Sequence, residues 1–170
     1  MEDGYGNRPR VFDTSNPGKD NSIGDPDLGA PNNKCNPPGP GVGDGGKPGQ
    51  EWQNCEPLGN VLIVQERNNR MDIPDDNRDG GAIVFDFDPP AKYVSKIGLL
   101  DVDYETKIIV LFSNDSGVSD TREFNVPLRG DNSHQIVSIN IPNVEQLTLV
   151  MERSAAVSSI SFCYNDHEQS

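Results

Sequence analysis

From Leu58 onward, apolar and polar residues alternate with a period of two, in short runs separated by Gly, Pro, Asn and Asp. These runs predict strands over 60–66, 81–88, 93–103, 107–113, 121–127, 134–141, 146–152 and 156–163. Alternation puts Ile83, Phe85 and Phe87 on one face, and does the same for Val137, Ile139 and Ile141 and for Leu147, Leu149 and Met151. No stretch of comparable length carries an apolar stripe at the 3.6-residue period of a helix. Eight such strands and a ninth around 10–13 predict an all-β fold, a β-sandwich of the jelly-roll type. An immunoglobulin topology is disfavoured because its Cys…Trp…Cys spacing is missing.

The first 57 residues read differently. They hold 11 of the 17 glycines and 9 of the 14 prolines, and their large apolar side chains after Met1 are Tyr5, Val11, Phe12, Ile23, Leu28, Val42 and Trp52. Such a segment cannot build a core alone, so one domain is expected: a wrapping segment over 1–57, a β core over 58–164 and a tail over 165–170. Within the wrapping segment, residues 36–49 (NPPGPGVGDGGKPG) are low-complexity and predict an exposed loop. Cys35 and Cys55 bracket that loop. Three cysteines allow one bridge; spacing favours Cys35 with Cys55 over Cys55 with Cys163, and leaves Cys163 as a small buried apolar residue on the last strand. A disulfide implies an oxidising compartment, hence an extracellular or cell-surface location.

Charge narrows the partners. Fourteen Lys and Arg against 27 Asp and Glu give a formal net charge of −13. The surface field therefore opposes a nucleic-acid backbone or an anionic lipid surface and favours divalent cations. No apolar run is long enough to insert into a membrane, and the N-terminal residues are polar where a secretory leader would be basic and then apolar. The chain is expected to have had its leader removed if it is secreted, and to belong to a longer, multidomain protein as readily as to stand alone.

Candidate chemistry is concentrated in acidic loops. With Asp75 as position 1, Asn77 stands at 3, Asp79 at 5, Gly80 at 6 and Asp86 at 12. Calcium takes six to eight oxygens at about 2.3–2.6 Å, and alternate side chains of a tight turn can converge on one ion where a glycine lets the backbone reverse. Asp25 and Asp27 flank a stiff proline, and Asp101 and Asp103 end a strand with both carboxylates on one side. Two carboxylates facing each other repel unless a cation, or a partner such as Lys107 or Arg129, lies between them. Trp52, in a polar stretch next to Cys55, is the candidate aromatic platform for a ligand, or else caps the core.

The loop of Asp75, Asn77, Asp79, Gly80 and Asp86 resembles the D-x-[DN]-x-[DN]-G calcium loop. The helices of an EF-hand are missing: Pro74 precedes the loop and a strand-like run follows, so the EF-hand fold is rejected. The chain as a whole resembles the calcium-binding β-jelly-roll modules of secreted and cell-surface proteins, including carbohydrate-binding modules. It does so in strand count, in the V-F-D-T of 11–14 followed by D-P-D-L, and in the G-L-L-D-V-D of 98–103. That resemblance implies Asp13, Asp25, Asp27 and Asp101 as ligands of a second Ca2+ site. It also implies carbohydrate or a cell-surface protein as partner. The leading expectation is a non-catalytic, calcium-binding, carbohydrate-binding or adhesive module; the alternatives are a structural or assembly module and a polysaccharide-active enzyme. Two histidines and no nucleophile, zinc or phosphate-loop motif leave catalysis few candidate groups beyond paired carboxylates.

Overall fold

The computed structural model describes residues 9–19, 24–66, 73–114 and 116–164. Seven strands form one antiparallel sheet: β1 (Pro9–Asp13), β2 (Asn60–Val64), β3 (Gly81–Leu100), β4 (Thr106–Ser113), β5 (Ser119–Asn125), β6 (His134–Met151) and β7 (Ala156–Cys163). Their order across the sheet is β1-β2-β7-β3-β6-β4-β5. The only helical piece among the described residues is a single 3-10 turn, Pro26–Leu28. The all-β expectation holds, and the predicted strand near 10–13 is present as edge strand β1.

The strand count differs from expectation for a physical reason. The runs 81–88 and 93–103 join into β3, and the runs 134–141 and 146–152 join into β6. Pro89 and Pro90 were expected to end a strand, because proline cannot donate to a ladder. Instead the pairing skips them: Asp86 lies opposite Gln146 and the next pair is Ala91 with Val144, so the irregularity absorbs the prolines while the same two strands stay paired on both sides. Beyond it, β3 pairs with β6 and β7 at once.

Strand β4 alternates strictly between buried and half-buried positions, with Ile108 and Val110 fully buried. They share one cluster with Ile83, Ile97, Leu99, Ile141, Leu147 and Leu149 from β3 and β6. A smaller cluster joins the wrapping segment to the sheet: Phe12 and Leu28 pack with Val61, Ile63, Leu100 and Ala156. Burying Phe12 and Leu28 stabilises by about 2–3 kcal/mol each, which is how a segment too polar to fold alone acquires a fixed position. Edge strand β5 is almost entirely exposed and carries Asp120, Arg122 and Glu123, charges that oppose further strand addition.

One expectation about the wrapping segment is qualified and one about the last strand is corrected. Most of the glycine-rich run is exposed, but Gly41, Gly45 and Gly46 are buried. A Cβ on Gly43 or Gly45 would lie 2.5 Å from the carbonyl oxygen of Asp131 or Arg129, so these glycines let the segment press directly onto the backbone before β6. The low complexity reflects close packing of main chain on main chain. The Cys35–Cys55 disulfide is formed, but Cys163 is exposed at the end of β7 rather than buried.

Candidate metal centre

Four chain segments bring seven carboxylates to one place. The first is the Pro26–Leu28 turn, anchored by the fully buried Leu28, which carries Asp25 and Asp27. Asp25 donates its N–H to the Pro17 carbonyl at 2.6 Å. The second precedes β3: Gln65 bridges to Asp76, and Asn77 N–H donates to Val64 O at 2.7 Å. The third leaves β3 through Asp101, whose φ of 63° lies in the left-handed region and whose N–H donates to Ser133 O at 2.8 Å. The fourth is the turn before β6 that carries Asp131, joined to the third where Arg129 N–H donates to Val102 O at 3.1 Å.

Carboxylate oxygens of Asp25, Asp75 and Asp76 lie within 4.8 Å of one another, and so do those of Asp101, Asp103 and Asp131. Asp27 is hydrogen-bonded to Asp25 and feels the charge of Asp131. Asp25 and Asp76 are 5% and 7% exposed, and Asp101 only 2%. One oxygen of Asp76 (Oδ2) and one of Asp103 (Oδ1) are buried with no hydrogen-bond partner. A buried carboxylate oxygen without a donor costs several kcal/mol unless a proton or a cation compensates it.

The electrostatics carry the same demand. Burial pushes the Asp27 carboxyl up to about 9, reinforced by its hydrogen bond to Asp25. Burial likewise raises Asp25 to about 7, with repulsion from Asp76 and Asp75 adding to it. Asp103 reaches about 7 by burial and by its contact with Asp131. Asp76 and Asp101, buried deepest, are held well above the ordinary carboxylate range, first by desolvation and then by their neighbours. The two cations that the sequence offered as partners are engaged elsewhere. Lys107 pairs with Glu105 at 3.4 Å and Glu123 at 3.2 Å, and Arg129 lies 4.3 Å from the centre of the Trp52 ring. Among the described residues, no Lys or Arg ion pair reaches Asp25, Asp27, Asp76, Asp101, Asp103 or Asp131. Buried acidic clusters of this kind could hold a metal ion, and their all-oxygen donor set suits a hard divalent cation.

Of the sequence-predicted ligands, the structure therefore brings together Asp25, Asp27, Asp75 and Asp101. It places four others differently. Asn77 is buried, but its side chain holds its own turn, with Oδ1 accepting from Asp79 N–H at 3.2 Å and Nδ2 donating to Gly80 O at 2.7 Å. Asp79 is exposed. Asp86 is exposed on β3 and accepts from Gln146 Nε2 at 2.7 Å. Asp13 is exposed and accepts from Ser15 N–H and Ser15 Oγ, bonds that lower its pKa. Asp76, Asp103 and Asp131 join the centre without having been named as ligands. Asp103 had a sequence signal in its spacing from Asp101; Asp131 had none.

Trp52 lines a groove of about 600 Å³ with Glu51, Gln53, Asn125, Arg129 and Gln135. Its ring is half-buried, with one face covered by the Arg129 guanidinium, and its carbonyl accepts from His134 N–H at 2.9 Å. Groove and carboxylate centre share the 129–134 loop.

No family model and no curated protein matches the chain. Similar solved structures include the enzymatically active domain of tailspike protein 4 from bacteriophage CBA120, 9% identical, covering 72% of this chain and 17% of that one at a TM-score of 0.35. Another is PfGH50B, 17% identical, covering 64% of this chain and 21% of that one at a TM-score of 0.32. This chain thus spans about a fifth of either neighbour, and at these scores neither likeness extends to function.

Proposed function

We propose that this chain is a calcium-organised, non-catalytic extracellular module, in which the ion fastens the wrapping segment to the sheet and so fixes a binding groove for carbohydrate. The observation that carries the reading is the buried, unpartnered Oδ2 of Asp76 among seven carboxylates. Calcium suits the site because it accepts six to eight oxygens in irregular arrangements, whereas magnesium requires near-ideal octahedral geometry and keeps its waters. The ligands come from 25–27, 75–76, 101–103 and 131, so binding joins segments that are far apart in sequence and stabilises only the folded chain. The Cys35–Cys55 disulfide supports an oxidising location.

Carbohydrate suits the groove because an aromatic edge stands beside amide and carboxylate groups that can both donate to and accept from hydroxyls. Hydrolysis is disfavoured there: glycosidases work with two carboxylates across the bond, and Glu51 is the single acid lining the groove. The test is a glycan array probed with and without EDTA, alongside thermal melting in calcium and in EDTA. Calcium-dependent glycan binding, weakened at least about tenfold by Gln135→Ala, is expected. A large calcium-dependent melting shift with no glycan bound would leave a structural or assembly module. No shift in melting would remove the calcium reading itself.

A further inference from the structure

We infer that the centre holds two divalent cations rather than one, bridged by the carboxylate of Asp27. The inference rests on the calcium reading above and adds the number of ions and the residue that couples them. Two oxygens bound to one calcium can be no further apart than twice the metal–oxygen distance, about 5.2 Å. Asp25, Asp75 and Asp76 satisfy that limit among themselves at 4.8 Å, and so do Asp101, Asp103 and Asp131, with no residue common to both groups. Each group therefore has the dimensions of one ion's shell.

The second observation is independent of the clustering. Each group contains a buried carboxylate oxygen with no donor: Oδ2 of Asp76 in the first and Oδ1 of Asp103 in the second. Asp76 is only 7% exposed, so water does not solvate it. An ion in the first group would satisfy Asp76 and leave Asp103 orphaned, and the reverse holds for the second. Asp27 is hydrogen-bonded to Asp25 of the first group and close enough to Asp131 and Asp101 of the second to feel their charge, so it is the carboxylate that touches both groups. Its backbone is fixed independently, since the Asp27 carbonyl accepts from Asn132 Nδ2 at 2.6 Å.

The experiment is equilibrium dialysis of the full chain against calcium, with bound metal counted by mass spectrometry, and calorimetric titration of the same protein and its variants. Two ions per chain are expected in the wild type. One ion each is expected in Asp76→Asn and in Asp103→Asn. Asp27→Asn is expected to keep both sites while weakening the second ion's affinity about tenfold, a typical coupling between linked sites. A wild-type stoichiometry of one overturns the pair and leaves the calcium reading standing; no bound calcium at all overturns both. The wild-type count decides the matter even where a variant fails to fold. Two ions that bind Asp27→Asn as tightly as the wild type would overturn the bridge.

Discussion

The backbone N–H of Asn132 donates to Oδ1 of Asp101 at 2.6 Å, and both residues hold left-handed φ angles, 61° and 63°. Left-handed backbone is uncommon outside glycine but tolerated by Asn and Asp. Here it turns two loops toward each other and aims a carboxylate into the cluster. The same Asn132 side chain donates to the carbonyls of Asp27 at 2.6 Å and Gly29 at 2.7 Å and accepts from Asn32 Nδ2 at 2.7 Å. It is completely buried. One residue thus joins the wrapping segment, the end of β3 and the turn before β6, the three places that supply five of the seven carboxylates.

Replacing Asn132 with Ala should therefore cost more than a surface change. The Asp27 carbonyl and the Asn32 amide lose a partner, at roughly 1–3 kcal/mol for each buried polar group left unpaired, and Ala tolerates the left-handed backbone less well than Asn. A loss of about 3 kcal/mol in urea unfolding is expected, together with weaker calcium binding. Asn132→Gly should restore part of the stability by relaxing φ but none of the bonds. Equal stability of wild type and Asn132→Ala would refute the role given to this side chain.

Gly80 is a sharper case of backbone control. Its φ is +75°, and a Cβ there would lie 2.2 Å from the Met151 carbonyl and 2.6 Å from that of Glu152. Both obstacles are backbone and cannot rotate away. Gly80→Ala should destabilise by about 2–4 kcal/mol, from the strained φ and the displaced end of β6. Gly49→Ala is the control, since its φ of +85° is also positive but nothing lies within 4 Å; it should cost only about 1 kcal/mol. Matching melting temperatures for the two variants would contradict the packing argument.

These residues show which features could be read in the sequence and which could not. Period-two alternation revealed the strands, because alternate burial is a property of the chain itself. It could not reveal that Asp88, Pro89 and Pro90 lie inside one continuous strand, because that depends on β6 keeping its place opposite them. At the site, counting from Asp75 as the first position of a calcium loop selected Asn77 and Asp79 and passed over Asp76. In the fold, Asp76 is the buried member, drawn in by its bridge to Gln65, and Asp79 points to solvent. Asp131 belongs to the centre only because the 129–134 loop meets the end of β3 at Val102. Carboxylates from four separate loops have no spacing to recognise.

The disulfide closes a 20-residue separation around the glycine-rich run. A loop of that length is worth about 3 kcal/mol, mainly by restricting the unfolded chain. Changing both Cys35 and Cys55 to Ser should lower stability by about that amount without altering the calcium stoichiometry, because no ligand lies between the two cysteines. Chemical denaturation combined with metal analysis checks both halves. If calcium binding disappeared along with the bridge, the loop would have to position the carboxylates directly.

The carboxylates also predict opposite pH responses with and without calcium. In the folded chain burial raises Asp25 and Asp103 to about 7 and Asp27 to about 9, from an ordinary value of 3.8. A group whose pKa is higher folded than unfolded binds its proton more tightly when folded. Its contribution is complete below the unfolded value and is lost as pH rises through the folded one. In EDTA, stability should therefore decline between about pH 4 and pH 9, most steeply between about 4 and 7, where unfolding releases the protons of all three groups, and more gently from 7 to 9, where Asp27 alone still holds its proton in the folded chain. Calcium needs the ionised form, so protons compete with it and its stabilising effect should grow over the same interval. Melting curves at pH 5, 7 and 9 in calcium and in EDTA should thus diverge as pH rises, nearly coinciding at pH 5. Asp27→Asn removes the group with the highest of the three values and should flatten the upper part of the EDTA profile. Parallel curves at all three pH values would mean that the ion, if bound, does not sit among these carboxylates.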